Sequence, residues 1–154
     1  MATFKNPQDT NRGLSVLAQG LLVFDRFVFK LSAAYAAGAA ADESDIQIGE
    51  VPVDCVLVPH LSRLSVPVLD SNGSPTGDYS IGTLAAPALL KAAAAAETAA
   101  VLFGEDWNVP AGPVGSPSAP TPIVLHVTNV IATLGTGDIV FEPVFRAWNP
   151  AIDA

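Results

Sequence analysis

Apolar residues along this chain recur in short runs or in alternation with polar ones, which is the pattern of β-strands and not of long amphipathic helices. The segments predicted as strands are residues 20–31, 45–52, 53–58, 61–69, 78–83, 123–133 and 138–148. The first of them places apolar residues on both faces. It is therefore predicted to be covered on both sides, or to bulge near Asp25 and Arg26.

Two clusters of turn residues separate these strands. Residues 70–77, Asp-Ser-Asn-Gly-Ser-Pro-Thr-Gly, predict a hairpin between the strands at 61–69 and 78–83. Residues 134–137, Leu-Gly-Thr-Gly, predict a second hairpin between the last two strands, with its apolar side turned inward.

Two further segments depart from the β pattern. Residues 87–103 are rich in alanine, begin with Pro87 and are followed by Gly104, which predicts one helix with a proline at its first position and a glycine cap. Residues 108–122 contain five prolines and predict an extended, polyproline-like loop.

Together these elements predict a mainly β fold, an antiparallel β-sandwich that is jelly-roll-like, with one Ala-rich helix and an extended Pro-rich loop. The length of 154 residues favours one domain. Residues 1–13 are polar and rich in breakers, so they are predicted to form an extended N-terminal arm. Residues 14–154 are predicted to form the single sandwich domain.

The composition indicates which kinds of partner such a domain can bind. Only 14% of residues are charged, against about 25% in an average chain, while 50% are hydrophobic. The longest apolar stretches are shorter than a membrane span of about 18 residues, and we expect no signal peptide at the N-terminus. With a net charge of −8 there is no basic footprint for nucleic acid. An apolar surface of this kind is usually covered by other subunits, so we predict that the chain forms a symmetric homo-oligomer.

Few residues offer chemistry. Cys55 and His60 could form a nucleophile and its base, but Cys55 follows Asp54 within a strand and is predicted to be a buried structural cysteine. His126 is a lone strand histidine and is predicted to serve packing or an interface. The loop at Asp70 fails the spacing of a calcium loop, with weak calcium binding left as the alternative. No catalytic residue, cofactor or metal site is predicted, and no enzymatic activity.

Short motifs between residues 45 and 147 resemble those of a known family. They are Asp45 to Pro52, the strand Tyr79-Ser80-Ile81-Gly82-Thr83, and the terminal Leu134-Gly135-Thr136-Gly137-Asp138-Ile139. In this order they are similar to the head decoration or cement proteins of tailed phages. The Pro-rich loop departs from the compact pattern of that family.

The resemblance implies a structural virion protein that binds the outer surface of a phage capsid and stabilises contacts between major capsid protein subunits. It would be made in the host cytoplasm and end on the virion. Its partners would be the major capsid protein and copies of itself, a trimer being preferred because small caps often sit where three neighbours meet. No nucleic acid, membrane, cofactor or catalytic residue is implied. The alternatives are a tail or head-fibre component, or a sugar-binding β-sandwich module that uses Trp107 and Trp148.

Aromatic anchors and rigid extended segments favour interface contacts. The candidate interface residues are Phe4, Trp107, Pro110, Pro113, Pro117 and Trp148. We also expect deletion of residues 1–13 to leave the melting temperature almost unchanged and to weaken attachment to the shell.

Overall fold

The computed structural model describes residues 3–5, 22–31, 44–73, 77–127 and 135–154. Within them about half of the residues lie in strands, and most of the others lie in turns and loops. The strands are β1 Thr3–Lys5, β2 Val23–Phe24, β3 Phe27–Lys30, β4 Ser44–Val51, β5 Cys55–Leu57, β6 Arg63–Val66, β7 Asp78–Gly82, β8 Lys91–Ala95, β9 Ala100–Phe103, β10 Gly115–Ser116, β11 Thr121–Val127, β12 Asp138–Glu142 and β13 Val144–Ala147. The short helical turns are the 3₁₀ helices Pro59–Leu61 and Gly104–Asp106 and the α-helix α1 Pro150–Asp153.

The strands form three sheets. Sheet A has the order β1-β4-β11-β7-β8, sheet B the order β10-β5-β13-β2, and sheet C the order β3-β12-β6-β9. All strand pairs are antiparallel except β1 with β4, which is parallel. The prediction of a mainly β, sandwich-type fold is confirmed, and its strands divide among three sheets where a simple jelly roll has two.

Sheets B and C are joined by a bent two-stranded ribbon. Phe27 pairs with Phe141 in sheet C and Phe24 pairs with Val144 in sheet B, so the register continues unchanged across the bend. At the bend itself Asp25 donates its N–H to the carbonyl of Pro143, at 3.2 Å. Pro143 has no N–H to return, which interrupts the ladder and lets the ribbon turn. The irregularity predicted near Asp25 is therefore the corner where the chain passes from one sheet to the other.

The core lies between sheets A and C. A row of inward side chains crosses all four strands of sheet C, made of Phe27, Phe141, Leu64 and Leu102, and each is buried. Gly49 of β4 faces this row. A Cβ at Gly49 would lie 2.7 Å from Cδ2 of Phe141, so only a bare backbone allows the two sheets to approach this closely.

The helix predicted for residues 87–103 is wrong. This segment forms β8 and β9, joined by a turn, with β8 paired to β7 and β9 paired to β6. Alanine's helix preference is a weak prior, and pairing with a buried neighbour strand overrides it. The segment also lacks large apolar residues at helical spacing, and most of its alanines are exposed.

Both predicted hairpins are also wrong. β6 lies in sheet C and β7 in sheet A, while β11 lies in sheet A and β12 in sheet C. The turn chemistry is present, because the carboxylate of Asp70 accepts the N–H groups of Asn72 and Gly77. A turn signal marks a change of direction, however, and does not specify which strand the chain will pair with next.

The two extended segments add to sheet edges. Thr3–Lys5 of the predicted arm forms β1, and the rest of residues 1–13 lies outside the described residues. Within the Pro-rich loop, Gly115–Ser116 forms β10 on β5 and Val114 is buried. The predicted loop thus reaches the core at its centre, and the segments on either side of β10 contain bends.

Candidate interface surfaces

Trp107 is a core residue, so its predicted interface role is corrected. Its side chain is 5% exposed, its indole N–H donates to the carbonyl of Ser62 at 3.0 Å, and its ring packs against Phe141 with the centroids 6.3 Å apart. The Asn and Pro residues that follow Trp107 correctly indicated the end of an element. The turn that follows β9, however, places the ring of Trp107 against Phe141 in the core.

Trp148 lines an open surface groove of about 390 Å³, hereafter the C-terminal groove. The groove is lined by Leu22, Arg146, Ala147, Trp148, Asn149, Pro150 and Ile152. Ile152 is 69% exposed, and Phe24 on the neighbouring strand β2 is 72% exposed. Since β2 is the last described strand of sheet B, this apolar surface ends at a strand edge that no other described strand covers.

A partly buried ion pair fixes one wall of the C-terminal groove. Both guanidinium NH₂ groups of Arg146 donate to the carboxylate of Asp153, each at 2.7 Å, and the N–H of Asn149 donates to the same carboxylate at 2.8 Å. These bonds hold the pKa of Asp153 below its ordinary value, although burial opposes the shift. The helix α1 is thereby held against β13, with the side chain of Asn149 capping its first turn.

Pro113 lines a second groove of about 370 Å³, hereafter the proline groove, between the Pro-rich loop and the turn before β8. Leu84, which is 48% exposed, lies on the opposite wall. Pro117 is exposed and Pro110 is half-buried, and neither lines this groove. The prolines thus form a surface, but not a single contact site.

The outer face of sheet C is a third apolar surface. Val101 and Phe103 of the edge strand β9 are 49% and 58% exposed. Next to Phe103, Arg63 forms an exposed ion pair with Glu142 at 3.5 Å. The sequence prediction missed this surface because it assigned the residues to a helix. All four residues of β9 are apolar, so the sequence carries no polar–apolar alternation that would have indicated a strand with one exposed face.

Phe4 pairs with Ile46 at the edge of sheet A. The surroundings of its side chain lie outside what the structure describes. Its assignment as an anchor therefore stays a prediction.

Cys55 is buried, as predicted. Burial raises the pKa of its thiol from 9.0 to about 11, and the neighbouring carboxylate of Asp54 adds to the rise. His60, the base of the alternative nucleophile, is exposed on the 3₁₀ helix that follows β5. A buried, protonated thiol is a poor nucleophile.

His126 lies beside Asp45, a pairing that sequence reasoning did not find. Its Nδ1 is 2.6 Å from Oδ1 of Asp45, directly across the β11–β4 ladder, and the Asp45 side chain is completely buried. The residues are 81 positions apart in the chain, so only the strand register could have revealed the contact. Among the described residues, no group of three His, Cys, Asp or Glu side chains could hold a metal ion.

No known family model matches this sequence, and no curated protein matches it either. Two chains of solved structures are similar in fold. A chain of the cyanophage Pam1 capsid asymmetric unit is 18% identical, with a TM-score of 0.56 over 92% of this chain and 99% of that one. A chain of the capsid of Ralstonia phage GP4 is 20% identical, with a TM-score of 0.56 over 83% of this chain and 84% of that one.

The sugar-binding alternative required both tryptophans at one concave surface. Trp148 lines the C-terminal groove, but Trp107 is enclosed in the core and is not part of that lining. The pair therefore cannot act together as a stacking platform for a sugar. In the part of the chain that is described, no helix has the length and apolar character needed to cross a bilayer.

Proposed function

We propose that this chain is a structural protein of a phage virion that binds the outer surface of the capsid and stabilises contacts between major capsid protein subunits. The observation that carries the proposal is the shared fold with two capsid chains over most of both lengths. Because each alignment spans more than four-fifths of both chains, the likeness extends beyond a common hairpin or sheet. The short sequence motifs point independently to the same class.

Exposed apolar side chains supply the means of attachment. Monomeric proteins seldom gather large apolar residues on their surface unless another molecule covers them. Of the three surfaces described above, the C-terminal groove is our candidate for the shell contact. It contains a tryptophan and lies beside the exposed Phe24 and the outer edge of β2, to which no other described strand is paired. Such features anchor protein interfaces and accept extended segments.

Self-association is part of the proposal, with a trimer as the preferred form. That preference comes from the family resemblance, since caps of this size suit positions where three shell subunits meet. Pro110, Pro113 and Pro117 remain candidates for contacts within such an oligomer or with the shell.

The test is reconstitution on capsids assembled from the major capsid protein of the same phage. We expect the purified chain to co-sediment with the shells and to raise their melting temperature. The double variant Phe24→Ser/Ile152→Ser should lose both effects, while Leu61→Ser, which removes an exposed leucine elsewhere, should retain them. A chain that neither binds the shells nor occurs in purified virions would contradict the proposal.

A further inference from the structure

Among the described residues, no strand pairs with the outer edge of β8. It is the last described strand of sheet A, and its sequence is Lys91 followed by four alanines. Ala92, Ala93 and Ala95 are exposed. Outer strands normally carry several charges or prolines that prevent pairing with another chain. Within β8 itself, Lys91 is the single charged residue.

At this edge, backbone N–H and C=O groups of β8 point away from β7. Ala96 donates its N–H to the carbonyl of Gly77, and Ala94 pairs with Tyr79. Alternation along an antiparallel ladder then directs the N–H and C=O of Ala95, which lies between them, to the free side. The C=O of Ala93 also points to the free side, because it lies opposite the N–H of Ala94 in the same trans peptide. The pairing of β7 with β8 is irregular between Ala94 and Lys91.

The charges around β8 are self-complementary. Lys91 and Glu97 lie at equal distances on either side of Ala94. In the described part of the chain, no ion pair involves either side chain. Two antiparallel copies related by a two-fold axis at Ala94 would place Ala93 opposite Ala95. They would also bring Lys91, at one end of β8, toward Glu97 in the turn that follows β8 of the second copy. A slip of two residues in either direction, which keeps the hydrogen-bonding alternation, would bring Lys91 toward Ala95 or Ala99 instead.

We infer that β8 pairs with β8 of a second copy of this chain, in antiparallel register about Ala94. The two five-stranded sheets would become one continuous sheet, joined by backbone hydrogen bonds and flanked by two Lys91–Glu97 pairs. Alanine side chains offer little bulk, so the strands can approach without rearrangement. The inference concerns the isolated chain and does not depend on the proposed role in a virion. A contact about a three-fold axis elsewhere on the surface would be compatible with it.

A cysteine at the axis tests the pairing directly. Opposed residues at such a position have Cα atoms about 4.5–5.5 Å apart, within the range of a disulfide. We expect Ala94→Cys to form a disulfide-linked dimer under mild oxidation. Ala111→Cys, at an exposed position in the Pro-rich loop, should remain mostly monomeric, and buried Cys55 should not react in either protein. Equal dimer yields from the two variants would overturn the inference.

A charge exchange tests the register without touching the packed face of β8. In sedimentation velocity, Lys91→Glu should lower the self-association constant by about ten-fold, since it replaces two attractions by two repulsions. The double variant Lys91→Glu/Glu97→Lys should restore it, while Arg63→Glu on sheet C should change nothing. A wild-type chain that stays monomeric at millimolar concentration, or a double variant as weak as the single one, would overturn the inference.

Discussion

At the scale of single residues, the contact between His126 and Asp45 is the clearest polar feature of the interior. The Asp45 carboxylate is fully buried, and Oδ2 finds no hydrogen-bond partner among the described residues. The bond from Oδ1 to His126 therefore matters more than an exposed pair of the same type. A buried carboxylate without hydrogen-bond partners destabilises the folded state, because water no longer solvates it.

His126→Ala should accordingly lower the free energy of unfolding by about 3–5 kcal/mol, because it leaves a buried carboxylate without this partner. Arg63→Ala is the matched control, since it breaks the exposed pair with Glu142 and should cost less than about 1 kcal/mol. Urea unfolding measures both. In the double variant Asp45→Ala/His126→Ala the loss should be smaller than the sum of the single losses. A His126→Ala protein as stable as Arg63→Ala would contradict this account.

Cys55 makes stability depend on pH in the alkaline range. Its pKa is about 11 when folded, against 9.0 ordinarily, so the unfolded thiol ionises first as pH rises. The wild-type protein should thus keep its full stability below about pH 9 and lose stability between pH 9 and 11. Cys55→Ala should lack this loss, which denaturant unfolding across the pH series would measure.

Asp54→Asn provides the control for the thiol. Asp54 adopts a positive φ of 62°, a conformation that asparagine tolerates equally well, so the backbone should be unaffected. Removing its charge removes the second cause of the raised pKa of Cys55, and the alkaline loss should become smaller. An identical pH profile in Cys55→Ala and wild type would show that the thiol is not responsible.

At the scale of elements, Gly49 sets the spacing between β4 and β12. Gly49→Ala should destabilise the protein by about 1–3 kcal/mol, because the added methyl group would collide with the ring of Phe141. Gly112→Ala is the matched control, since a Cβ there meets nothing within 4 Å. Thermal or denaturant unfolding distinguishes the two. If the two variants were equally stable, β4 and β12 could move apart at Gly49 without lowering the free energy of unfolding.

The helix α1 depends on one acidic side chain. The pKa of Asp153 is lowered by its bonds to Arg146, so its contribution is present above the ordinary value of about 3.9 and is lost as pH falls through the lowered value. Asp153→Asn should reproduce the acid state at neutral pH. We expect faster hydrogen exchange at residues 149–154 and little change in the core.

Asp106→Asn is the control for this effect. It removes the carboxylate that accepts the N–H of Phe103, the last residue of strand β9. Because this bond lies outside the C-terminal helix, hydrogen exchange at residues 149–154 should be unchanged. Protection at residues 149–154 that is the same in Asp153→Asn and wild type would show that the ion pair does not hold the helix.

At the scale of the whole molecule, three residues of the predicted N-terminal arm form the edge strand β1. Thr3–Lys5 pairs with β4 in the largest sheet, so these residues contribute to the fold itself. Deletion of residues 1–5 should lower the melting temperature by about 2–4 °C, if the lost pairing is worth about 1 kcal/mol. Deletion of Ala154 should have no effect. An unchanged melting temperature would restore the simpler expectation of an independent arm.

The sequence and the structure agree best where the signal is local. Alternation of apolar and polar residues located most strands, such as β4 and β7, because side chains on a half-buried strand must alternate between core and solvent. The burial of Cys55 followed from its apolar neighbours. Among the candidate interface residues, Trp148 and Pro113 lie at surface grooves, whereas Trp107 does not.

The sequence by itself therefore determined the class of fold, the low charge and the apolar composition from which we predict partner contacts. Tertiary structure alone decided how the strands are distributed among three sheets, why the Ala-rich segment is extended, and which aromatic rings are buried. The reason is physical: pairing joins residues far apart in the chain, as with His126 and Asp45, and its free energy outweighs local preferences such as alanine's for helix. A local pattern can place a strand, but only its neighbours determine which sheet it joins and which of its side chains remain on the surface.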